Sequence, residues 1–404
     1  MYHPLFPTYC FLLFVLVLPT VSAAQSLPIP LSEAFEIAEA NYPQLEQDRL
    51  AVEQRRILLK TASRPADLDI YLSGMQVDPE RLEEGIHGAG FEQRFNWPSG
   101  KKYRSAALEE QLRLSNAQLE LTAFELRQQV ALAYYEMLYA KELRSFCQEQ
   151  RNLMDELLEL AQAKLNLGET SKVPVLSARS KQRQAALEQQ RAQDAYDLAY
   201  TLFNNWLFAD TAYVAMGVGL PAPQPYLDWF VNGGHPQLLL AEQEIRLAAA
   251  QIQSERAYRL PKIIAGAQVQ MINGDLPFIA YTLGMSVPLG QESIKARVES
   301  AEVGVAREQA QLQAAEENLE RKRRELIARL KKEQSALSFL QEEILPFTKE
   351  QIMASRKAYT QGTVAYQDYL LNLEEALGSR RDYIETLRRY HILRLKLEFL
   401  SGKR

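Results

Sequence analysis

The sequence has almost no cysteine. Cys10 and Cys147 are the two in 404 residues, and Cys10 lies just before an apolar leader. Removal of that leader would leave Cys147 alone, which excludes an intrachain disulfide and a cysteine metal site. Cys147 reads as a small buried apolar group in a helix. Histidine is equally sparse: His3, His87, His235 and His391 are scattered, and no two share the spacing of metal ligands. The eight methionines do not cluster, so a methionine relay for soft metals has no support. No catalytic constellation is present. The expectation is a protein that is not an enzyme and holds no cofactor and no metal. Beyond the leader no run of about 18 apolar residues exists, so no transmembrane helix is expected. The net charge of −5 is mild and argues against nucleic acid. The one basic run, Arg321 to Arg324, is flanked by glutamates and reads as a solvated helix face.

Proline and glycine are also missing from the long stretch Lys101 to Leu167. At 1.5 Å per residue such a helix would be roughly 100 Å long, too long for a globular domain.

The leader itself is an apolar run from Phe11 to Leu18, followed by small residues up to Ala24. This pattern reads as a signal peptide over residues 1–23. The absence of cysteine at the cleavage point gives no support for a lipid anchor.

What the sequence does contain is written twice. Asn41-Tyr42-Pro43-Gln44-Leu45 returns as Gly234-His235-Pro236-Gln237-Leu238. Pro65 returns as Pro261, Trp97-Pro98-Ser99-Gly100 as Val287-Pro288-Leu289-Gly290, and Leu167-Gly168 as Gln361-Gly362. The offsets are 193, 196, 190 and 194 residues, in one order along the chain. A period this long marks a duplicated half rather than a solenoid repeat. The expected organisation is a first repeat over 24–220, with a β-hairpin at 68–97 and a helical hairpin turning near 168. A second repeat spans 221–404, with a β-hairpin at 262–289 and a tip near 362. Each repeat opens with a modest helix, Ser32 to about Ser63 and Pro236 to Leu260, with Ser32 as the expected N-cap.

The strand runs alternate with period two over about nine residues. Ile263, Ala265, Ala267, Val269 and Met271 share one face. Ile279, Tyr281, Leu283, Met285 and Val287 share another. Leu68, Ile70 and Leu72, and Ala89, Phe91, Phe95 and Trp97, repeat the pattern in the first half. Asp78-Pro79 and Asn273-Gly274-Asp275 mark the turns. The opposite faces carry Gly, Ser, Thr and Gln. Strands of nine to eleven residues, apolar on one side and wet on the other, suit a membrane β-barrel. A soluble sheet with one buried face is the alternative. Four strands cannot close a barrel, which needs about eight. The barrel must then be shared, and three chains would supply twelve strands.

The helices carry heptad seams. Leu119, Ala123, Leu126, Val130, Ala133, Met137 and Ala140 are spaced 4,3,4,3,4,3. Val298, Val305, Leu312, Leu319 and Leu326 recur every seven residues. The seam then jumps to Leu330, Leu337 and Ile344, a four-residue stutter.

A signal peptide followed by two tandem halves, each of helix, strand hairpin, Pro-x-Gly and long helical hairpin with a Gly tip, resembles the TolC-like outer-membrane efflux family. The compact length is most similar to the heavy-metal, CzcC-like branch. The resemblance implies a mainly α chain with a transmembrane β part. Duplicated helical hairpins form an α-barrel in the periplasm, and four strands per chain join a trimeric twelve-stranded β-barrel in the outer membrane. The implied partners are two further copies in a homotrimer, a periplasmic adaptor meeting the tips, an inner-membrane pump acting through it, and outer-membrane lipid. The implied role is a passive exit duct, with heavy-metal cations as one cargo. A periplasmic adaptor or a secreted coiled-coil protein is the alternative.

The second tip fits the family pattern, with Gly362 followed by Asp368-Tyr369-Leu370-Leu371. The first departs from it, placing Pro174 where the acid would stand. Asp368 and Leu371 are therefore the candidate pore gate, a charged ring beside an apolar one. Gly168 and Gly362 are the candidate adaptor-docking tips, and also plain permissive turns. Trp97, at a strand exit, is the candidate membrane-interface anchor, with Tyr281 as a second aromatic near a strand end.

Overall fold

The computed structural model describes residues 27–63, 67–75, 80, 85–223, 234–273 and 275–402. The leader, Pro65, the Asp78-Pro79 turn and Gly274 fall outside them.

The first half begins with a short strand β1 (Leu27–Ile29), then helices α1 (Leu31–Asn41) and α2 (Pro43–Leu59). A single helix was expected here. The chain instead breaks at Tyr42, whose ψ of 115° is extended, because a residue before proline is pushed out of the α region. Pro43 then starts the new helix at a position where a missing N–H costs nothing. Ser32 is not the N-cap: Pro30 holds that place, without a side-chain cap, and Ser32 lies inside the first turn.

Strands β2 (Leu68–Met75) and β3 (Ile86–Asn96) follow, then α3 (Pro98–Asn166), a single helix of 69 residues. A glycine turn leads into α4 (Lys172–Leu207), and β4 (Tyr213–Ala215) closes the half by pairing parallel with β1. The second half repeats the order: α5 (Pro236–Arg256), β5 (Lys262–Ile272), β6 (Asp275–Ser286), α6 (Gln291–Phe339), α7 (Leu345–Thr360) and α8 (Tyr366–Leu400).

Between α6 and α7 the helix widens to a π-type turn at Leu340–Ile344. Pro346 follows at once. Its ring clashes with the preceding turn and it offers no N–H, so the ladder skips a residue there. The seam jump at Leu326 to Leu330 leaves no such mark; Leu330 and Leu337 are buried beneath α8.

The four longer strands form one antiparallel sheet in the order β2-β3-β5-β6. The two hairpins, nearly 190 residues apart, pair through β3 and β5, from Ile86 against Ile272 to Asn96 against Lys262. The register puts Ile70, Phe91, Ala267 and Tyr281 in one row, and Leu72, Ala89, Val269 and Ile279 in the next. The alternating apolar sets of all four strands therefore fall on one continuous face. That face is bare: Ile70 is 80% exposed and Tyr281 86%. Tyr281 stands mid-way along β6, opposite Ala267, and not near a strand end.

The opposite face is crowded. A Cβ on Gly90 would lie 2.5 Å from the Cβ of Gln268, and one on Gly266 would lie 2.7 Å from the Phe91 carbonyl. Opposed Cβ atoms in a flat sheet are about 4.5–5.5 Å apart. The sheet therefore curls toward its glycine face, and alanine at either position would push the curl open. The polar face is concave and the apolar face convex.

The helical core lies in two main clusters. One runs along α3, α4 and α8 toward the tips, from Cys147, whose burial raises its thiol pKa, to Met154, Leu157, Leu373 and Tyr369. The other packs Val130, Met137 and Phe203 against α1 and the β1–β4 pair. There the Tyr134 hydroxyl donates to the Met216 carbonyl at 3.1 Å; the Ile29 carbonyl, 3.3 Å from the same hydroxyl, already accepts from the Met216 N–H.

Candidate functional site

The two helical hairpins end in the same backbone motif. Gly168 has φ +74° and Gly362 φ +78°. The Gly168 N–H donates to Leu165 at 3.0 Å, and Glu169 N–H to Lys164 at 2.9 Å. In the second tip Gly362 N–H donates to Tyr359 at 3.1 Å, and Thr363 N–H to Ala358 at 3.0 Å. This is the glycine C-cap in which two turn amides satisfy the last free carbonyls. Nothing lies within 4 Å of a Cβ at either glycine. The glycines are there for φ and not for want of room.

The side chains around the two turns differ. The first tip exposes Leu167, Val173 and Leu176; in the sequence this tip stands out only as a departure from the acidic pattern, and the exposure of its apolar side chains is visible only in the fold. The second tip exposes Gln361, Thr363 and Gln367. Asp368 sits in the first turn of α8, exposed, where the helix dipole favours a carboxylate. Leu371, one turn on, is exposed on the same side. The two gate candidates are thus adjacent on one surface of α8. Asn372 donates to the Asp368 carbonyl at 2.8 Å, so the Asp368 carboxylate is not drawn into that bond.

Behind this surface lies a tyrosine cluster that sequence patterning did not single out. Tyr359 stacks on Tyr369 with ring centroids 5.1 Å apart, and Tyr366 meets Tyr359 edge-on at 6.2 Å. All three are buried, and burial raises each phenol pKa. The run Tyr359, Tyr366, Tyr369 around Gly362 was the available signal. Lys164 reaches across from the first hairpin, 5.3 Å from the Tyr359 ring, and pairs with Glu169 at 3.0 Å. Lys181 pairs with Glu374 at 2.7 Å, and Arg356 pairs with Glu156. The two tips are therefore held side by side by charged contacts.

Trp97 lies far along the chain from the tips, at the other end of α3. It occupies the N-cap position between β3 and Pro98 and is 40% exposed. Tyr258, Leu260 and Pro261 share a small cavity with it. Its parity continues that of Phe91 and Phe95, so it stands at the edge of the apolar face.

His235 caps α5, its Nδ1 accepting from the Gln237 N–H at 3.2 Å. His391 is buried in α8. Among the described residues no group of three or more His, Cys, Asp or Glu could hold a metal ion, and no helix is long and apolar enough to cross a membrane.

Comparison with known proteins bears on this architecture. Residues 232–403 match the family described as Outer membrane efflux protein. That family consists of channel proteins of the outer membrane with a periplasmic helical part, and not of enzymes. No curated protein matches the chain. Solved structures match nearly its whole length. CusC superposes with a TM-score of 0.75 at 15% identity, covering 94% of each chain. CmeC, the outer membrane channel of Campylobacter jejuni, gives 0.74 at 13%, covering 92% of this chain and 85% of its own. VceC of Vibrio cholerae gives 0.72 at 15%, covering 92% and 96%. The fold is that of these channel proteins, including the first half, which the family match leaves out.

Proposed function

We propose that the chain is an outer-membrane exit duct in which three copies close a twelve-stranded barrel above a helical tube. The observation that carries this is the curled sheet: its convex face is apolar and bare, and its concave face is polar and rich in glycine. A soluble sheet would cover such an apolar face, whereas lipid covers it in a barrel. Among the described residues both edge strands, β2 and β6, end the sheet without a further strand beside them, and closure with neighbouring copies removes those edges. Trp97 would then anchor the rim of the barrel at the headgroups.

At the far end, the paired tips at Gly168 and Gly362 are the surface offered to a periplasmic adaptor, through which an inner-membrane pump delivers substrate. Asp368 and Leu371 line the narrow entrance as a charged ring beside an apolar ring. The residues perform no chemistry on the cargo; the duct is passive. Heavy-metal cations are the cargo suggested by the similarity to the CzcC-like branch. Two helical hairpins per chain argue against an adaptor, which usually has one, and the unpaired strand edges argue against a simple coiled-coil protein.

Detergent-solubilised protein should have the native mass of three chains and form ion-conducting pores in planar bilayers. A stable monomer that still conducts would overturn the shared barrel. Deletion of the gene should raise sensitivity to divalent heavy metals if those are the cargo.

A further inference from the structure

The segment that joins the two halves crosses the helices as a strap. After β4 the Gly217 carbonyl accepts from Lys141 of α3, and the Leu220 N–H donates to Glu142 at 2.9 Å. The Pro221 carbonyl then lies 2.8 Å from His391 Nε2 of α8. The strap and the β1–β4 pair therefore lie over α3 and α8 as a second layer. In a duct walled by helices a second layer belongs on the outer surface, because inside it would fill the passage. The strap marks that surface on α3 by Leu138 and Lys141, both beside Gly217. Toward the tip, Ser145, Gln148 and Asn152 continue the same face at helical spacing.

On the tip side of the strap lies an open groove of about 580 Å³ between α3 and α4. Lys141, Arg144 and Arg151 of α3 stand across it from Gln189 and Gln193 of α4, and Val218 of the strap borders it. No carboxylate lines it. Its polar groups are set in place: Gln189 accepts from Arg151 at 2.5 Å and donates to Gln148, so the amides form a row across the groove. Arg144 is the unusual member. Its guanidinium carbon lies over the Tyr196 ring, 4.0 Å from the centroid. Around it Arg151, Arg191, Arg380, Arg381 and Arg388 each pair with a carboxylate. Among the described residues neither Arg144 nor Lys141 has such a partner. A guanidinium held by an aromatic ring keeps its N–H edge for a planar carboxylate.

The second repeat shows that this groove is not part of the shared fold. The tip glycines stand 194 residues apart, which sets Lys141, Arg144 and Gln148 against Ser335, Ser338 and Glu342. Gln189 and Gln193 fall against Tyr383 and Leu387. No cation stands at these positions, and Leu387 is buried. We propose that the groove holds the duct to the carboxylate-bearing glycopeptide of the cell wall. The inference rests on the outer-membrane reading above, in which the outer surface of the helical tube faces the periplasm and the polymer within it. Arg144 and Lys141 meet carboxylates of the peptide stems. The glutamine amides, which both donate and accept, meet hydroxyl and acetamido groups of the glycan. Against a net charge of −5 for the chain the groove is a local cationic exception, complementary to an anionic polymer. Its polar lining suits a hydrated polymer, where an apolar seam would suit another helix.

Isolated cell-wall sacculi, which sediment, are the probe. Full-length protein in detergent should sediment with them, and the bound fraction should collapse in about 1 M salt, where the screening length is about 3 Å. Arg144→Gln should weaken binding roughly tenfold, the loss of one charge-assisted bond, and Arg144→Lys should recover part of it. Both variants should still form conducting trimers. Arg191→Gln, at an arginine of α4 already paired with Glu188, should bind as the native protein does. Sacculi stripped of their peptide stems by an amidase should no longer bind. Full-strength binding by Arg144→Gln, or to stripped sacculi, would overturn the proposal. So would native protein that forms conducting trimers yet stays in solution, a result that leaves the channel reading standing. Native protein that neither trimerises nor conducts would overturn the channel reading, and this proposal with it.

Discussion

Arg388 grips Glu136 with both ends of its guanidinium, Nε to Oε2 at 2.8 Å and Nη2 to Oε1 at 2.7 Å, across 252 residues of sequence. The carboxylate holds the Arg388 pKa above its usual value, partly offset by burial. Both side chains keep more than a third of their exposure, so solvent screening limits the gain. Arg388 also lies over the Tyr139 ring at 4.8 Å, joining α8 to α3 by packing as well as charge.

Arg388→Ala should therefore destabilise the chain by about 1 kcal/mol, part of it lost packing. Arg388→Lys should recover only part, since an ammonium cannot bind a carboxylate with two parallel N–H groups. A double-mutant cycle with Glu136→Gln, read from chemical unfolding midpoints, should give a coupling of a few tenths to about 1 kcal/mol. Strict additivity would mean that the pair contributes nothing.

His391 makes stability depend on pH. It is buried, its Nε2 lies 2.8 Å from the Pro221 carbonyl, and Tyr135 and Tyr390 flank its ring. Burial lowers its pKa most; the Pro221 carbonyl opposes this and the Arg394 charge adds to it. A depressed folded pKa means that the unfolded chain binds the proton more readily. The stabilisation is then complete above the ordinary histidine value of 6.5 and is lost as pH falls through the folded value. Melting temperature should fall between pH 7.5 and pH 5.5 in the native protein. The fall should be smaller in His391→Gln. Equal falls would assign the acid sensitivity to other groups, such as His235, whose pKa burial lowers first and the Lys322 charge lowers further; Glu149, held low first by its bond to Arg380, acts only below about 4.5 and lies outside this window.

The tips allow a test that separates backbone from contact. Gly168→Ile or Gly362→Ile forces a branched side chain into positive φ, costing roughly 1–2 kcal/mol, in a chain whose neighbours leave the space open. Trimers should still form, and efflux in cells should be impaired. Normal export by both variants would reduce the tips to turns.

For the entrance, Asp368→Asn should lower cation selectivity and weaken block by multivalent cations in single-channel recordings. Leu371→Ala should raise conductance. Unchanged traces from both variants would return Asp368 to a solvated carboxylate at a helix start.

The strands and tips were legible because each rests on local chemistry: alternation for Ile279 to Met285, a positive φ for Gly168 and Gly362. The break at Tyr42 and the widened turn before Pro346 carried proline signals, the first inside a stretch read as one helix and the second at the end of the heptad seam. The pairing of Leu27–Ile29 with Tyr213–Ala215 had none, since three residues are too few for a period and their partners are distant. The contact of Arg388 with Glu136 was hidden for a similar reason. Charges on helix faces are common, and only the packing of α8 on α3 selects this pair. Ser32 misled because a good capping residue stands at the second position of a helix that begins one residue earlier, at Leu31.

The paired glycine turns have a numerical consequence for whatever meets them. In backbone they are the same object, bond for bond; in side chains one exposes Leu167, Val173 and Leu176 beside Glu169, and the other Gln361, Gln367 and Asp368. A ring of three chains would show six equal sockets to a partner that reads shape, and two alternating sets of three to one that reads charge. In such a ring, stoichiometry at this end would follow the visitor's chemistry and not the number of chains.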